Sequence, residues 1–250
     1  MTRTQNTLFA ALLAFNLMAW AGVFWQYRYM TETPMTEMWM PPSATSAWSA
    51  FDFGIVFSMW AVMMIAMMLP SAFPTVLAFA TICRRRGQNL FRLSSLFVLG
   101  YLSIWLLFSI VLTLLQWQMH GLLWLSPMMD NNNRILAVAI LVMAGAYQFS
   151  PTKNACLSYC QSPVGFLMNR WRSGAIGAYR MGTQHGVVCL GCCWAEMLVM
   201  FSIGLMNITG MLVLTLIITL EKLSPFNAAI SARIGGLIFF AWAGGVMFSG

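Results

Sequence analysis

The chain has 250 residues, of which 60% are hydrophobic and only 8% charged, with a net charge of +7. A soluble domain carries roughly 25% charged residues, so there are too few charges here to cover a water-facing surface. The apolar excess excludes disorder, and six cysteines are too sparse for a secreted disulfide scaffold.

What remains is an all-α, polytopic transmembrane helical bundle forming a single integral membrane domain over residues 1–250. A bilayer-crossing helix needs about 20 mostly apolar residues. Seven runs qualify, at 7–27, 53–82, 93–117, 134–150, 184–206, 208–222 and 230–249. They are continuously apolar rather than alternating, which argues against a barrel. The first run has a competing reading as a cleaved signal, with Arg3 ahead of it and Ala19-Trp20-Ala21 as the cut site, which would leave six spans. Its aromatic segment Trp20 to Trp25 fits an interfacial belt better and favours a retained helix. In the second run Pro70 and Pro74 predict a kinked or broken helix near Leu69–Pro74. The fourth run is short, and the sixth begins directly after Asn207.

Counting Lys and Arg by side sets the orientation. With Arg3 inside, Arg84, Arg85, Arg86, Arg92, Lys153, Arg170, Arg172, Arg180, Lys222 and Arg233 fall on the same side, and only Arg28 and Arg134 on the other. Basic residues collect on the cytoplasmic side. The expectation is a multi-pass protein of a bacterial inner membrane with its N-terminus cytoplasmic, lipids as its surroundings and no nucleic-acid partner.

The segment with most chemistry is Gln184-His185-Gly186-Val187-Val188-Cys189-Leu190-Gly191-Cys192-Cys193-Trp194-Ala195-Glu196. On a helix advancing about 100° per residue, His185, Cys189, Cys192 and Glu196 share an arc of about 60°, with Cys193 at its border. Imidazole, thiolates and carboxylate on neighbouring turns form a donor set for one metal ion, at the cytoplasmic end of the fifth run. The plainer alternative is that three small buried cysteines only pack. Coincidence on one stripe, and the rarity of idle ionisable groups inside a membrane, favour ligation. A second pair, Cys156 and Cys160, lies in a cytoplasmic loop with Lys153; if helical, its thiols face one way and complete a closed soft-donor site.

Methionine is abundant, at 22 residues. Met64, Met67 and Met68, with Met63, line the second run. Met35, Met38 and Met40, with Met30, lie in the first outside loop. Met119, Met128 and Met129 occupy the second, beside His120. Thioethers need no deprotonation and suit Cu(I) in an oxidising compartment, although methionine is also an adaptable filler. No phosphate loop, nucleotide fingerprint, serine elbow or haem motif is present.

Several of these segments together resemble an uncharacterised bacterial family of predicted metal-binding integral membrane proteins. The pieces are Ala66-Met67-Met68-Leu69-Pro70-Ser71, Gly100-Tyr101 with Trp105, Ala144-Gly145-Ala146-Tyr147-Gln148, Lys153 with Cys156-Leu157 and Cys160, and Ser162-Pro163. His185-Gly186 with Cys189-Leu190-Gly191-Cys192-Cys193-Trp194, then Gly204, Met206-Asn207 and Glu221-Lys222, complete the match over about residues 55–225. The chain departs from the family at Gln161, where Arg is usual, and at Glu196, where an apolar residue is usual. The resemblance implies metal binding. Together these readings predict a soft-metal protein that handles copper(I), with zinc as the alternative. His185, Cys189, Cys192, Cys193, Cys156 and Cys160 are its ligands, and Glu196, Met64, Met67, Met68, Met35, Met38 and Met40 are accessory donors. Its partners would be the ion and another membrane protein or a metallochaperone. The rival readings are a membrane thiol–disulfide or metal-dependent oxidoreductase using the same cysteines, and a non-catalytic assembly subunit.

Overall fold

The computed structural model describes residues 3–34, 36–42, 45–126, 129, 131, 133–224 and 227–248. Among them the chain forms α1 (Arg3–Glu32), α2 (Ala50–Arg85), α3 (Leu90–Gly121), α4 (Arg134–Gln148), α5 (Pro151–Gln161), α6 (Pro163–Asn169), α7 (Gly174–Leu198), α8 (Met200–Ile203), α9 (Ile208–Leu223) and α10 (Ala228–Phe248). The described residues contain no strand, only an isolated antiparallel bridge between Leu125 and Asn131. The all-helical expectation therefore holds.

Polar side chains at the helix starts explain where the chain is cut. Ser49 and Asp52 form a reciprocal capping box on α2, and Asn89, Asn133, Ser150 and Asn207 each accept a backbone N–H from the first turn of the helix that follows. Each of these groups satisfies an N–H that the helix itself leaves without a partner.

Among the described residues five helices are long and apolar enough to cross a bilayer: α1, α2, α3, α7 continued through α8, and α10. The bent pair α4 and α5, meeting at 66°, makes a sixth if counted as one crossing. The remaining predicted span is α9, whose 16 residues rise only about 24 Å. The fifth predicted span also begins earlier than its apolar run. Its helix starts at Gly174, ten residues ahead of the predicted 184, and so takes in the polar and basic residues up to Thr183.

The predicted break in the second span is not present: α2 runs unbroken through Pro70 and Pro74. Proline at 70 removes the donor that the Ala66 carbonyl would otherwise receive. The buried Asn16 amide of α1 replaces it, donating to Ala66 O at 3.0 Å. The loop expected around Cys156 and Cys160 is likewise a helix, α5, with Ser150 as N-cap and Pro151 in its first turn.

α3 and α7 cross backbone against backbone. A side chain added at Gly100 would strike the Tyr179 carbonyl, and one at Gly182 the Phe97 carbonyl. Gly182 and Gly186 form the small-xxx-small spacing that permits such an approach. α2 packs on α1 and α3, α4 on α10, and α5 on α7. The interior divides into a large methionine- and cysteine-rich cluster and a smaller aromatic one around Phe79, Phe97 and Phe166. Large aliphatic side chains stand exposed along the outer faces, among them Leu99, Leu107 and Val111 on α3 and Leu212, Leu216 and Leu220 on α9.

Candidate metal centre

The stripe predicted on α7 is real, and all of it faces inward: His185, Cys189, Cys192, Cys193 and Glu196 are buried. Because α7 starts at Gly174, Cys189 is the sixteenth residue of the helix. The thiols therefore sit near mid-helix rather than at an end, as the apolar run alone suggested. All six cysteines are free.

Two neighbouring helices bring further sulfur to the stripe. α5 presents Cys160, whose Sγ lies 3.9 Å from Cys192 Sγ. One turn away, Cys156 Sγ rests against Gly191, where a Cβ would stand 2.9 Å from it; only glycine leaves that thiol its place. α2 presents Met68, whose Sδ is 3.8 Å from Cys193 Sγ. The Cys192 and Cys193 thiols both donate to the Cys189 carbonyl, at 3.1 and 2.9 Å. Two thiolates each about 2.3 Å from one ion stand about 3.8 Å apart at a tetrahedral angle, whereas disulfide sulfurs stand about 2.05 Å apart. The Cys160–Cys192 spacing thus suits ligand sharing. Among the described residues no three carboxylate, imidazole or thiol groups already converge on one point; the sulfur donors meet in pairs, one of them a thiol with a thioether.

The surroundings of Cys189 were not legible in the sequence. Lys222 of α9 turns inward, and its Nζ donates to Cys189 Sγ at 2.9 Å and to Ser71 Oγ at 3.1 Å, with Cys193 Sγ at 3.9 Å. The Tyr101 hydroxyl donates to the Met68 carbonyl at 2.9 Å and lies 3.2 Å from Cys189 Sγ. The only advance signal for Lys222 was an ionisable pair, Glu221-Lys222, ending an otherwise apolar run. A lysine at a span end commonly snorkels toward water, whereas Lys222 is buried with its ammonium group turned inward.

Two of the predicted donors have neighbours of another kind. His185 occupies an aromatic slot, with the rings of Phe97, Tyr101 and Phe166 centred 6.0, 5.5 and 5.3 Å away, and its Nδ1 is buried with no hydrogen-bond partner among the described residues. It sits one turn from Cys189 but stacks on rings rather than joining a thiol pair. Glu196 belongs to an ionic network: Lys153 Nζ contacts Glu196 Oε1 and, at 2.7 Å, Glu221 Oε2, while Gln148 Nε2 donates to both carboxylates. Its carboxylate is engaged by a buried ammonium group rather than by a thiol. Glu221, the neighbour of Lys222 in sequence, is paired with this same lysine.

The methionines divide by place. Met64 and Met67 are buried within the core along α2, and Met68 has its Sδ against the Cys193 thiol. Met38 is buried and Met40 half-buried in the segment between α1 and α2, packed on the same core. Met35 and Met128 lie outside the described residues.

A family model described as PpoB2, copper chaperone, matches residues 57–246. That span takes in α5, α7 and α9 whole and nearly all of α2. No curated protein and no solved structure matches the chain.

Proposed function

The chain belongs to the PpoB2 copper chaperone family, and from that premise we propose that it is a multi-pass protein of a bacterial inner membrane that binds copper(I) and hands it on. The observation that carries the reading is the buried sulfur cluster drawn from three helices: Cys189, Cys192 and Cys193 of α7, Cys160 of α5 and Met68 of α2. Soft thiolate and thioether donors select copper(I), and a thioether beside a thiol favours it over zinc. The exposed aliphatic faces and the concentration of basic residues on alternate connections support membrane insertion with the N-terminus inside.

Copper(I) is the cargo in this reading. Thiols closing on it must lose protons, and thiolates must exchange another cation; Lys222 stands where such a cation is needed. In the copper-free protein its ammonium group supplies positive charge beside Cys189, and the arriving ion takes over that duty. No electron is transferred; sulfur ligands are exchanged one for another, so a recipient membrane protein or metallochaperone with similar donors can draw the ion away.

The test is elemental analysis of untagged protein purified in detergent under reducing conditions, beside Cys189→Ser/Cys192→Ser. Roughly one copper per chain in the first and a loss of most of it in the second is expected. Zinc in place of copper would move the reading to a structural or sensing site, and absence of metal from both after growth in copper would overturn it. The facing of Cys160 and Cys192 also supports a second reading, a dithiol from which an external disulfide accepts two electrons and two protons, closing the pair to a disulfide. Thiol alkylation separates the two, since chelator-dependent labelling marks metal and reductant-dependent labelling marks redox chemistry.

A further inference from the structure

The sulfur cluster lies at the middle of the bundle, and the structure holds a second collection of thioethers at one end of it. The last turns of α1 and the first turns of α2 enclose a pocket of about 380 Å³. Met30 of α1, Met59 of α2, Met129 of the α3–α4 connection and Met206 of the α8–α9 connection all line it, together with Trp25 and Tyr29. Four segments distant in sequence thus each bring one methionine to the same space. Only Met30 and Met129 belonged to the methionine groups visible in the sequence.

Two features separate this pocket from incidental packing. Met129 is held at φ 63°, in the left-handed region that non-glycine residues rarely adopt,. Its connection is tied down there, because Leu205 N–H donates to the Met129 carbonyl at 3.2 Å and Asn131 Nδ2 to the Phe201 carbonyl at 2.8 Å. The first of these bonds sets Met206 beside Met129. Such a conformation persists where its surroundings impose it, and it recurs at ligand sites.

The second feature is continuity with the centre. Met59 is succeeded on α2 by Met63 and Met67, one turn apart each, and by Met64 and Met68 on the adjoining row. All five are buried. Neighbours one turn apart stand about 5–6 Å from each other at Cβ, and Met59 to Met68 is about 14 Å of helix rise. The row ends where Met68 Sδ meets Cys193 Sγ.

We propose that Met30, Met59, Met129 and Met206 form a second soft-metal site, an acquisition pocket for a monovalent d10 cation of the copper(I) class. The α2 methionines connect it to the cysteine cluster. This inference rests on the copper reading above for the identity of the cargo, but not for the existence of the site. The pocket lies at the end of α2 away from Arg84 and Arg85, the end that the basic-residue count assigns to the outside. Thioethers are the sulfur donors that stay ligating there without deprotonation or disulfide formation. Transfer along the row is ligand exchange between neutral thioethers, driven by the thiolates at its end, with no change in oxidation state.

Silver(I), a redox-inert ion of the same softness, is the probe. In a Cys156→Ser/Cys160→Ser/Cys189→Ser/Cys192→Ser/Cys193→Ser background, the detergent-purified protein is expected to bind silver. Adding Met59→Leu/Met129→Leu/Met206→Leu, swaps that conserve volume, is expected to weaken that binding at least about tenfold. Met18→Leu/Met168→Leu/Met247→Leu, all exposed, should change nothing. In the unaltered protein, methyl-13C methionine spectra supply a readout that needs no cysteine variant: silver added beyond what saturates the cysteine thiols should shift Met30, Met59, Met129 and Met206 and leave Met18, Met168 and Met247 in place. Equal silver affinity with and without the three pocket thioethers, or unshifted pocket methyls, overturns the proposal. If the pocket binds silver while the unaltered protein retains no copper, the copper reading fails and the pocket stands. The reverse result removes the pocket alone.

Discussion

Lys153 and Lys222 each place an ammonium group where water does not reach, and each solves the cost of doing so differently. Lys153 stands between two carboxylates, Glu196 and Glu221, which Gln148 also binds. Lys222 has sulfur and a hydroxyl for company instead. Removing one member of a buried ionic group leaves the others uncompensated. Lys153→Met is therefore expected to cost about 3–5 kcal/mol, seen as a fall of roughly 10 °C in the thermal midpoint. Adding Glu196→Gln should recover part of the loss, because only one carboxylate then remains to be neutralised. If the single and double variants melt alike, the network is not the stabilising unit described here. The sequence displayed all these residues as rare charges in an apolar chain. Their pairing was not legible, since the partners are 43 and 68 positions apart.

At the scale of elements, the unbroken α2 shows how a helix tolerates an internal proline. The local rule predicts a break at Pro70 because a carbonyl loses its donor and the ring crowds the preceding turn. The rule concerns an isolated helix, and here α1 supplies Asn16 to the Ala66 carbonyl. Asn16→Leu is expected to cost about 1–3 kcal/mol by leaving that buried carbonyl unsatisfied. With Pro70→Ala the backbone N–H returns, and the same Asn16→Leu change should then cost almost nothing. A denaturation double-mutant cycle measures this coupling, and additive effects would dismiss it. At the α3–α7 crossing the Gly182 and Gly186 spacing permits a close approach, and tertiary structure decides that α3 is the helix that makes it.

For the molecule as a whole, the number of crossings turns on the two elements whose lengths were soft from the start, the bent α4–α5 pair and the short α9. If both cross, there are seven spans, and a C-terminal reporter should be active only outside while an N-terminal one is active only inside. A reporter after α10 that is active inside would mean that one of the two does not cross. The count of basic residues bears on this directly: counting both as spans leaves just Arg28 and Arg134 on the outer side, which is the distribution the positive-inside rule favours.

What the sequence determined by itself is what depends on neighbours along the chain. Apolar runs made helices, Asn and Ser before them made caps, and the spacing of Cys189, Cys192 and Cys193 put the thiols on one buried side of α7. Helical periodicity and composition act within a few turns, so these could be read directly. Tertiary structure alone decided which side chains complete the site. Cys193 meets Met68 across 125 residues, and Lys222 reaches Ser71 across 151. It also withdrew His185 into a stack of rings and Glu196 into an ion pair. A helical stripe specifies a direction but not what lies in that direction, and the packing of α2, α5 and α9 around α7 supplies it.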